Sequence, residues 1–246
     1  MISQVPELTA VITFHREGIV AHAALSSYAL SRARAERAGR SVSMVLVLDR
    51  ADAETRRIVR EHPDLLGDEV IVEVSVGDAA LARNLGIAQA PGTHVCTLDG
   101  DDLITRDYFE RHLAMAQNMQ GRVILHPEIA VSFGRDDFFS WQIDQRSIRF
   151  SEDMLISVNP WVSAVFARRE VFLEVPYLPC HPQQTGFGYE DWHWNCQTVA
   201  AGFKHLAVAG TAYFYRLKEV GSVNASSAAL GVVMPPSDLF GSWRAR

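Results

Sequence analysis

Two groups of carboxylates, far apart in the chain, have residue types and spacings suited to chemistry. The first closes an apolar stretch: His94–Asp102 reads HVCTLDGDD, with three acids around Gly100. Like charges this close repel unless something positive sits among them. A divalent cation is the usual solution, and Mg2+ or Mn2+ suits hard oxygen ligands while also accepting diphosphate oxygens. Asp99 and Asp101, two apart in an extended segment, can face one side, and Gly100 lets a ligand approach the backbone closely. The plain alternative is a polar turn in which Asp102 caps the next helix.

The second group lies in Gly186–Trp194, GFGYEDWHW. Two glycines bend a loop, and Glu190 and Asp191 then open a helix, where the helix dipole favours negative charge. The plain reading is a capped helix with an acidic first turn; the functional one is a general base beside aromatic rings that can hold a sugar. Trp192 and Trp194 can pack on sugar faces, although helical tryptophans more often serve the core. Trp161 and Trp141 could form an acceptor shelf on the same terms. Cys180, His181, His193 and Cys196 are zinc-type ligands, but their spacing matches no usual zinc pattern.

Both groups need a frame, and the first half of the chain alternates apolar runs with helical patterns. Leu8–Phe14, Val42–Leu48, Val70–Val76 and His94–Leu98 read as strands. Between them, helices are expected over Ala21–Ala38, closed by Gly39; over Ala53–Glu61, capped by Asp52; and over Ala79–Ala90, capped by Asp78. Thr105 is expected to cap a helix over Arg106–Met119. Repeated strand–helix–strand units imply a mostly parallel sheet with helices on both faces. Such sheets bind ligands beyond the carboxyl ends of their strands, so the polar residues after Phe14, Leu48 and Leu98 should converge.

The second half is less regular. Val123–Leu125 and Ile129–Phe133 flank His126-Pro127-Glu128 as a hairpin or bent strands. Residues 136–161 show little pattern. Val162–Phe166 reads as a strand, Glu190–Ala201 as a helix, Ala207–Phe214 as a last strand, and the segment from Gly221 onward as a mobile or draped tail.

Composition narrows the function classes. The 246 residues carry 23 basic and 29 acidic side chains, a formal net charge of −6. No basic face dominates, which argues against nucleic-acid binding. Cys96, Cys180 and Cys196 are an odd number of cysteines with no CxxC, so a reducing compartment fits better than a disulfide scaffold. The start, MISQVPELTAVITF, lacks the pattern of a signal peptide, and no apolar run reaches the roughly 18–20 residues needed to cross a bilayer. A cytoplasmic protein is expected, with peripheral contact at the inner membrane face left open.

Ala82–Gly86 (ARNLG), Ala90–Gly92 (APG) and His94–Asp102 together resemble the core of family 2 glycosyltransferases, where an Arg-Asn helix precedes a strand ending in an Asp-x-Asp signature. Tyr189–Trp192 (YEDW) resembles the family's later Glu-Asp motif. Ala212–Arg216 (AYFYR) with Gly221-Ser222 resembles the terminal strand and loop of many bacterial members. The Gln-x-x-Arg-Trp motif of processive members is absent.

The resemblance implies a GT-A fold: a single α/β domain over residues 1–222 with a Rossmann-like, mostly parallel sheet. Residues 1–120 would be the nucleotide-binding half and 121–222 the acceptor side, with 223–246 a tail. It further implies a UDP- or GDP-sugar donor, a divalent cation (Mn2+ or Mg2+), and a hydroxyl acceptor, glycan or lipid-linked. Carried over by position, Phe14, His15 and Glu17 fall around the nucleotide base. Asp49 falls at the base or ribose, Arg83 near the nucleotide, and Asp99 near the ribose and metal. Asp101 matches the metal-binding acid. Asp191 matches the catalytic base, with Glu190 beside it, and Arg216 a basic group near the diphosphate. Trp161 and Trp192 are the acceptor candidates. Attack opposite the leaving group would invert the anomeric centre. Two departures stand out: the first strand ends Thr13-Phe14-His15-Arg16, and Asp49 stands alone after the second. A nucleotidyltransferase of similar fold, or an inert nucleotide- or sugar-binding module, are the alternatives.

Overall fold

The structure is a computed structural model, and it describes residues 5–218 and 229–241. Strands β1 (Leu8–Phe14), β2 (Val42–Asp49), β3 (Val70–Val74) and β4 (His94–Asp99) form a parallel block in the order β3-β2-β1-β4. β1 pairs with β2 from Leu8↔Val42 to Phe14↔Leu48, and with β4 from Leu8↔His94 to Thr13↔Asp99. The continuous apolar reading of β1 and β2 has a simple cause: both faces of these strands are covered. One face carries Leu8, Ala10, Ile12, Met44, Leu46, Leu48, Cys96 and Leu98 into a core with helices α1 (Val20–Arg37) and α4 (Tyr108–Asn118). The other carries Val11, Val45, Val47 and Val95 against α3 (Ala79–Gln89), α5 (Arg169–Glu174) and Trp194 of α7 (Glu190–Ala200). Gly86 makes the second contact possible, since a Cβ there would lie 2.5 Å from Val11 Cγ1 and 2.6 Å from Val47 Cγ2.

Caps follow the sequence where a carboxylate stands free to turn back. Asp52 accepts from Thr55 N at the start of α2 (Ala53–Glu61), and Asp78 from Leu81 N at the start of α3. Gly39 takes φ +78° just past α1. The Thr105 cap is a correction: α4 begins at Tyr108, and the Thr105 hydroxyl instead accepts from Ala212 N. The neighbouring last strand brings that amide within reach of the hydroxyl.

The second half extends the sheet with antiparallel and parallel pairs. β8 (Val165–Arg168) runs antiparallel beside β4, and β6 (Val123–Gly134) antiparallel beside β8. β9 (Lys204–Leu217) then runs parallel to β6. The two runs flanking Pro127 are one bent strand, whose register with β9 shifts between Pro127 and Ile129, where proline cannot donate to the ladder. β7 (Phe139–Trp141) pairs antiparallel with β6 and is followed by a 3-10 turn, Glu152–Ile156. The short strand β5 (Leu103–Ile104) pairs antiparallel with Tyr213 and Phe214 of β9, which carries the end of β9 up to the acids that follow β4. The short helices α6 (Pro182–Thr185) and Asp238–Gly241 complete the described elements, and Leu239 packs in a small core with Trp161 and Cys196. Gly221-Ser222 lies outside the described residues. Among the described residues no helix is long and apolar enough to cross a membrane.

Candidate active site

A cleft of about 870 Å³ opens over the carboxyl ends of β1, β2 and β4, where a parallel sheet is expected to bind. All the candidate residues border it: Phe14, His15, Glu17, Asp49, Arg83, Asp99, Asp101, Trp161, Glu190, Asp191, Trp192 and Arg216. The two acidic motifs therefore face one space.

The Asp99–Asp102 turn is fixed from three sides. Gly100 N donates to Thr13 O at the end of β1, and the Tyr28 hydroxyl donates to Asp99 O. Gly100 lies directly on the Phe14 ring, with a Cβ position only 2.3 Å from Phe14 Cδ1. Asp99 has both oxygens occupied: Oδ1 accepts from Arg83 (3.0 Å) and Thr13 (3.3 Å), Oδ2 from Ser163 (2.8 Å). Burial alone would raise this carboxyl, but the Arg83 charge and the Ser163 hydrogen bond outweigh it and hold it below the usual range. Asp102 is buried and does not cap a helix; it accepts from Tyr213 Oη and from Arg216 N. Burial, with Asp101 and Asp99 nearby, pushes its carboxyl well up.

Asp101 points instead to two cations, Arg216 in β9 and Lys218 just past its end. Its Oδ2 lies 2.9 Å from Lys218 Nζ and 3.4 Å from Arg216 Nη1. Lys218 also approaches Glu17, at 4.0 Å. Burial works against the lysine charge, but Asp101 and Glu17 raise it above its ordinary value. Burial raises Glu17. No group of three His, Cys, Asp or Glu side chains among the described residues could hold a metal alone. Among the described residues Cys180, His181, His193 and Cys196 do not form such a group either, and the three cysteines are free and buried. The donor set fits a different arrangement: one carboxylate, Asp101, sharing a hard cation with oxygens of a bound diphosphate and water.

At the other wall, Tyr189 takes a left-handed φ of +60° and starts α7, placing Glu190 and Asp191 in its first turn. Glu190 Oε1 lies 2.6 Å from Arg83 Nη1. Asp191 accepts from Asn159 Nδ2 at 3.1 Å. Burial first, then the Glu190 charge, push the Asp191 carboxyl up to about 7, against the lowering pull of Arg83. A carboxylate poised there suits general-base work near neutrality.

The remaining candidates take supporting places. Asp49 accepts from Val76 N and Gly77 N and so ties down the loop before α3, while His15 Nδ1 bonds Asp49 O at 2.6 Å. Trp161 is 2% exposed, its ring stacked 4.1 Å from His205 and its Nε1 donating to Ile143 O; it forms floor rather than shelf. Trp192 donates to Leu155 O and meets Tyr189 edge-on, with its ring partly exposed.

Sequence reasoning missed Lys218, Ser163, Asn159, Asn195 and Tyr213. Lys218 was findable, being two residues beyond Arg216 and so on the same face of an extended strand. Asn159 lies in a segment with no periodicity to read, and Ser163, although inside the strand read over Val162–Phe166, was not singled out there.

A family model described as Glycosyl transferase family 2 matches residues 10–175. No curated protein matches the sequence. Among solved structures, TarS of S. aureus (residues 1–349) is 14% identical with a TM-score of 0.59, covering 85% of this chain and 60% of that one. The mannosyltransferase PcManGT from Pyrobaculum calidifontis, solved with GDP-Man and Mn2+, is 16% identical with a TM-score of 0.59, covering 89% and 59%. GalNAc-T7, solved with UDP, GalNAc and Mn2+, is 17% identical with a TM-score of 0.62, covering 88% and 44%. The chain spans about 60% of the TarS fragment. At these identities the likeness establishes the fold, a mixed α/β GT-A architecture.

Proposed function

The chain belongs to glycosyl transferase family 2, and from that premise we propose that it transfers a sugar from a UDP- or GDP-sugar to an acceptor hydroxyl with inversion. The observation that carries this reading is the shared cleft: Asp101 and Asp191, from separate motifs, line the same space. The bound nucleotides of the TarS, PcManGT and GalNAc-T7 structures support the donor class.

In this reading residues 1–120 hold the donor. The base lies over Phe14, His15 and Glu17, on a floor braced by Asp49, and the ribose lies toward Asp99 and Arg83. Apart from Arg216 and Lys218, the half from 121 to 218 faces the acceptor, with Trp192 at the rim and Trp161 beneath. The acceptor is a glycan or a lipid-linked hydroxyl, met in the cytoplasm or at the inner membrane face.

Asp191 takes the acceptor proton as the hydroxyl oxygen attacks the anomeric carbon. The bond to the diphosphate breaks on the opposite side, so the anomeric configuration inverts. Arg216 and Lys218 meet the charge that grows on the departing diphosphate. A divalent cation held by Asp101, Mn2+ or Mg2+, supplies Lewis-acid charge at the same oxygens when bound.

The test is a panel of nucleotide sugars assayed for Mn2+-dependent hydrolysis and transfer, with the product anomer read by NMR. One UDP- or GDP-sugar should be consumed, and Asp101→Ala and Asp191→Ala should both abolish its turnover. Undiminished activity in both variants removes the proposed site.

A further inference from the structure

Asp191 is held by a side-chain amide, and that amide is held by another. Asn159 lies in the segment between the 3-10 turn and β8, on the border of the cleft. Its Nδ2 donates to Asp191 Oδ2 at 3.1 Å, and its Oδ1 accepts from Asn195 Nδ2 at 2.9 Å. Asn195 is 1% exposed and sits one helical turn beyond Asp191 on α7. Its own Oδ1 is buried and has no partner among the described residues. The Asn195 amide therefore has a free acceptor beside the donor it uses, and either end can face Asn159.

We propose that Asn159 is the positioning residue of the base, and that its amide, braced by Asn195, turns over when Asp191 changes charge. This rests on the reading of Asp191 as the base that accepts the acceptor proton.

The argument is one of donors and acceptors. An ionised carboxylate only accepts, so Asn159 must face it with its NH2 group, as it does here. Its carbonyl is then left for Asn195, which must donate. Once Asp191 has taken a proton it can donate, and it is met best by the Asn159 carbonyl. The Asn159 NH2 then faces Asn195, whose Oδ1, unpaired in the first state, becomes the acceptor. Asn195 leaves one end unpaired in either orientation, so its burial favours neither, and the charge on Asp191 decides. The other groups facing Asp191 are Glu190 on its own helix, Arg83 from α3, Asp99 at the end of β4, and Tyr177 and Cys180 from the segment before α6. Among the described residues Asn159 is the side chain that donates a hydrogen bond to Asp191.

The test follows the carboxyl carbons of the full-length, 13C-labelled chain through a pH titration, with Asp191 assigned by the signal lost in Asp191→Asn. Asn159 bonds both forms of Asp191, but the bond to the charged form is the stronger, so Asn159→Ala still raises the pH of half-ionisation, by about one unit, and Asn195→Leu, where Asn159 stays but is free to turn, raises it by less. With the donor found above, kcat of Asn159→Ala should fall about tenfold or more while donor KM stays within about twofold. Asn159→Ser, which can still donate, should recover part of both losses; it also decides the matter if the alanine variant does not fold. An unmoved Asp191 titration in a folded variant that still binds UDP or GDP overturns the proposal. If the wild type turns over no nucleotide sugar, the functional reading fails on its own, and the titration still decides the Asn159 contact.

Discussion

Arg83 joins Asp99 to Glu190, with Nη2 at 3.0 Å from the first carboxylate and Nη1 at 2.6 Å from the second. One guanidinium on α3 thus ties the acids after β4 to the acids that open α7, and it does so at 5% exposure. A planar fork suits this bridging, which a lysine cannot reproduce at both ends. Removing it would leave two half-buried carboxylates without their buried counter-charge. Arg83→Gln should therefore lower unfolding stability by about 3–5 kcal/mol, measured by urea denaturation at pH 7. Arg83→Lys should recover only part of that loss. A glutamine variant as stable as the wild type would mean that the bridge holds nothing together.

The second prediction concerns pH. Asp191 must be ionised to take a proton, and burial with Glu190 pushes its carboxyl up to about 7. Activity should therefore be lost as pH falls through about 7 and reach a plateau above it, whereas an ordinary aspartate would stay active to far lower pH. Asp191→Asn should cut kcat by about a hundred- to ten-thousandfold with donor affinity nearly unchanged. A pH–kcat profile that is flat down to pH 5 would contradict this.

Much of this arrangement was legible in the sequence, for physical reasons. Leu8–Phe14 and Val42–Leu48 are apolar throughout because both sheet faces are covered, and parallel strands put their ends on one edge. That is enough to bring Asp49 and Asp99 near each other. Asp52 and Asp78 read as caps because a carboxylate before a helix has a local partner, the backbone N–H three residues on. What the sequence hid were contacts without local logic. The plain alternative for Asp102 was a helix cap, yet its partners are Tyr213 and the backbone of Arg216, delivered by a strand more distant than any cap could sense. Trp161 looked like a sugar shelf, and only the stacking of His205 shows it as floor. Asn159 bonds to the second acidic motif from a segment that follows neither period, and Ser163 bonds to the first from a stretch whose strand reading says nothing of its distant partner.

Gly100 gives a steric prediction. A methyl group at this position would lie 2.3 Å from Phe14 Cδ1 and 2.8 Å from Cε1, and Phe14 is itself 1% exposed with no room to retreat. Gly100→Ala should cost about 1–3 kcal/mol by overpacking and displace the turn that aims Asp101. Thermal unfolding should show the loss, and nucleotide binding should weaken with it. Gly67→Ala is the contrast. No atom lies within 4 Å of its Cβ position, and its φ of +81° leaves only the left-handed backbone penalty of about 1–2 kcal/mol.

The last prediction separates metal from protein charge at Asp101. Its Oδ2 is shared by Lys218 and Arg216, so a cation arriving alone must compete with two fixed positive charges. A diphosphate changes that balance, because its oxygens can take up Lys218 and Arg216 and offer the cation further ligands. Mn2+ alone should therefore shift the melting temperature little, UDP or GDP alone somewhat, and the two together by more than the sum. Asp101→Asn should remove the excess while leaving the nucleotide-only shift in place or larger, since the two cations are then freed for phosphate. A full Mn2+ shift without nucleotide would show that the lysine and arginine do not guard the carboxylate. An excess that survives Asp101→Asn would place the cation on other ligands.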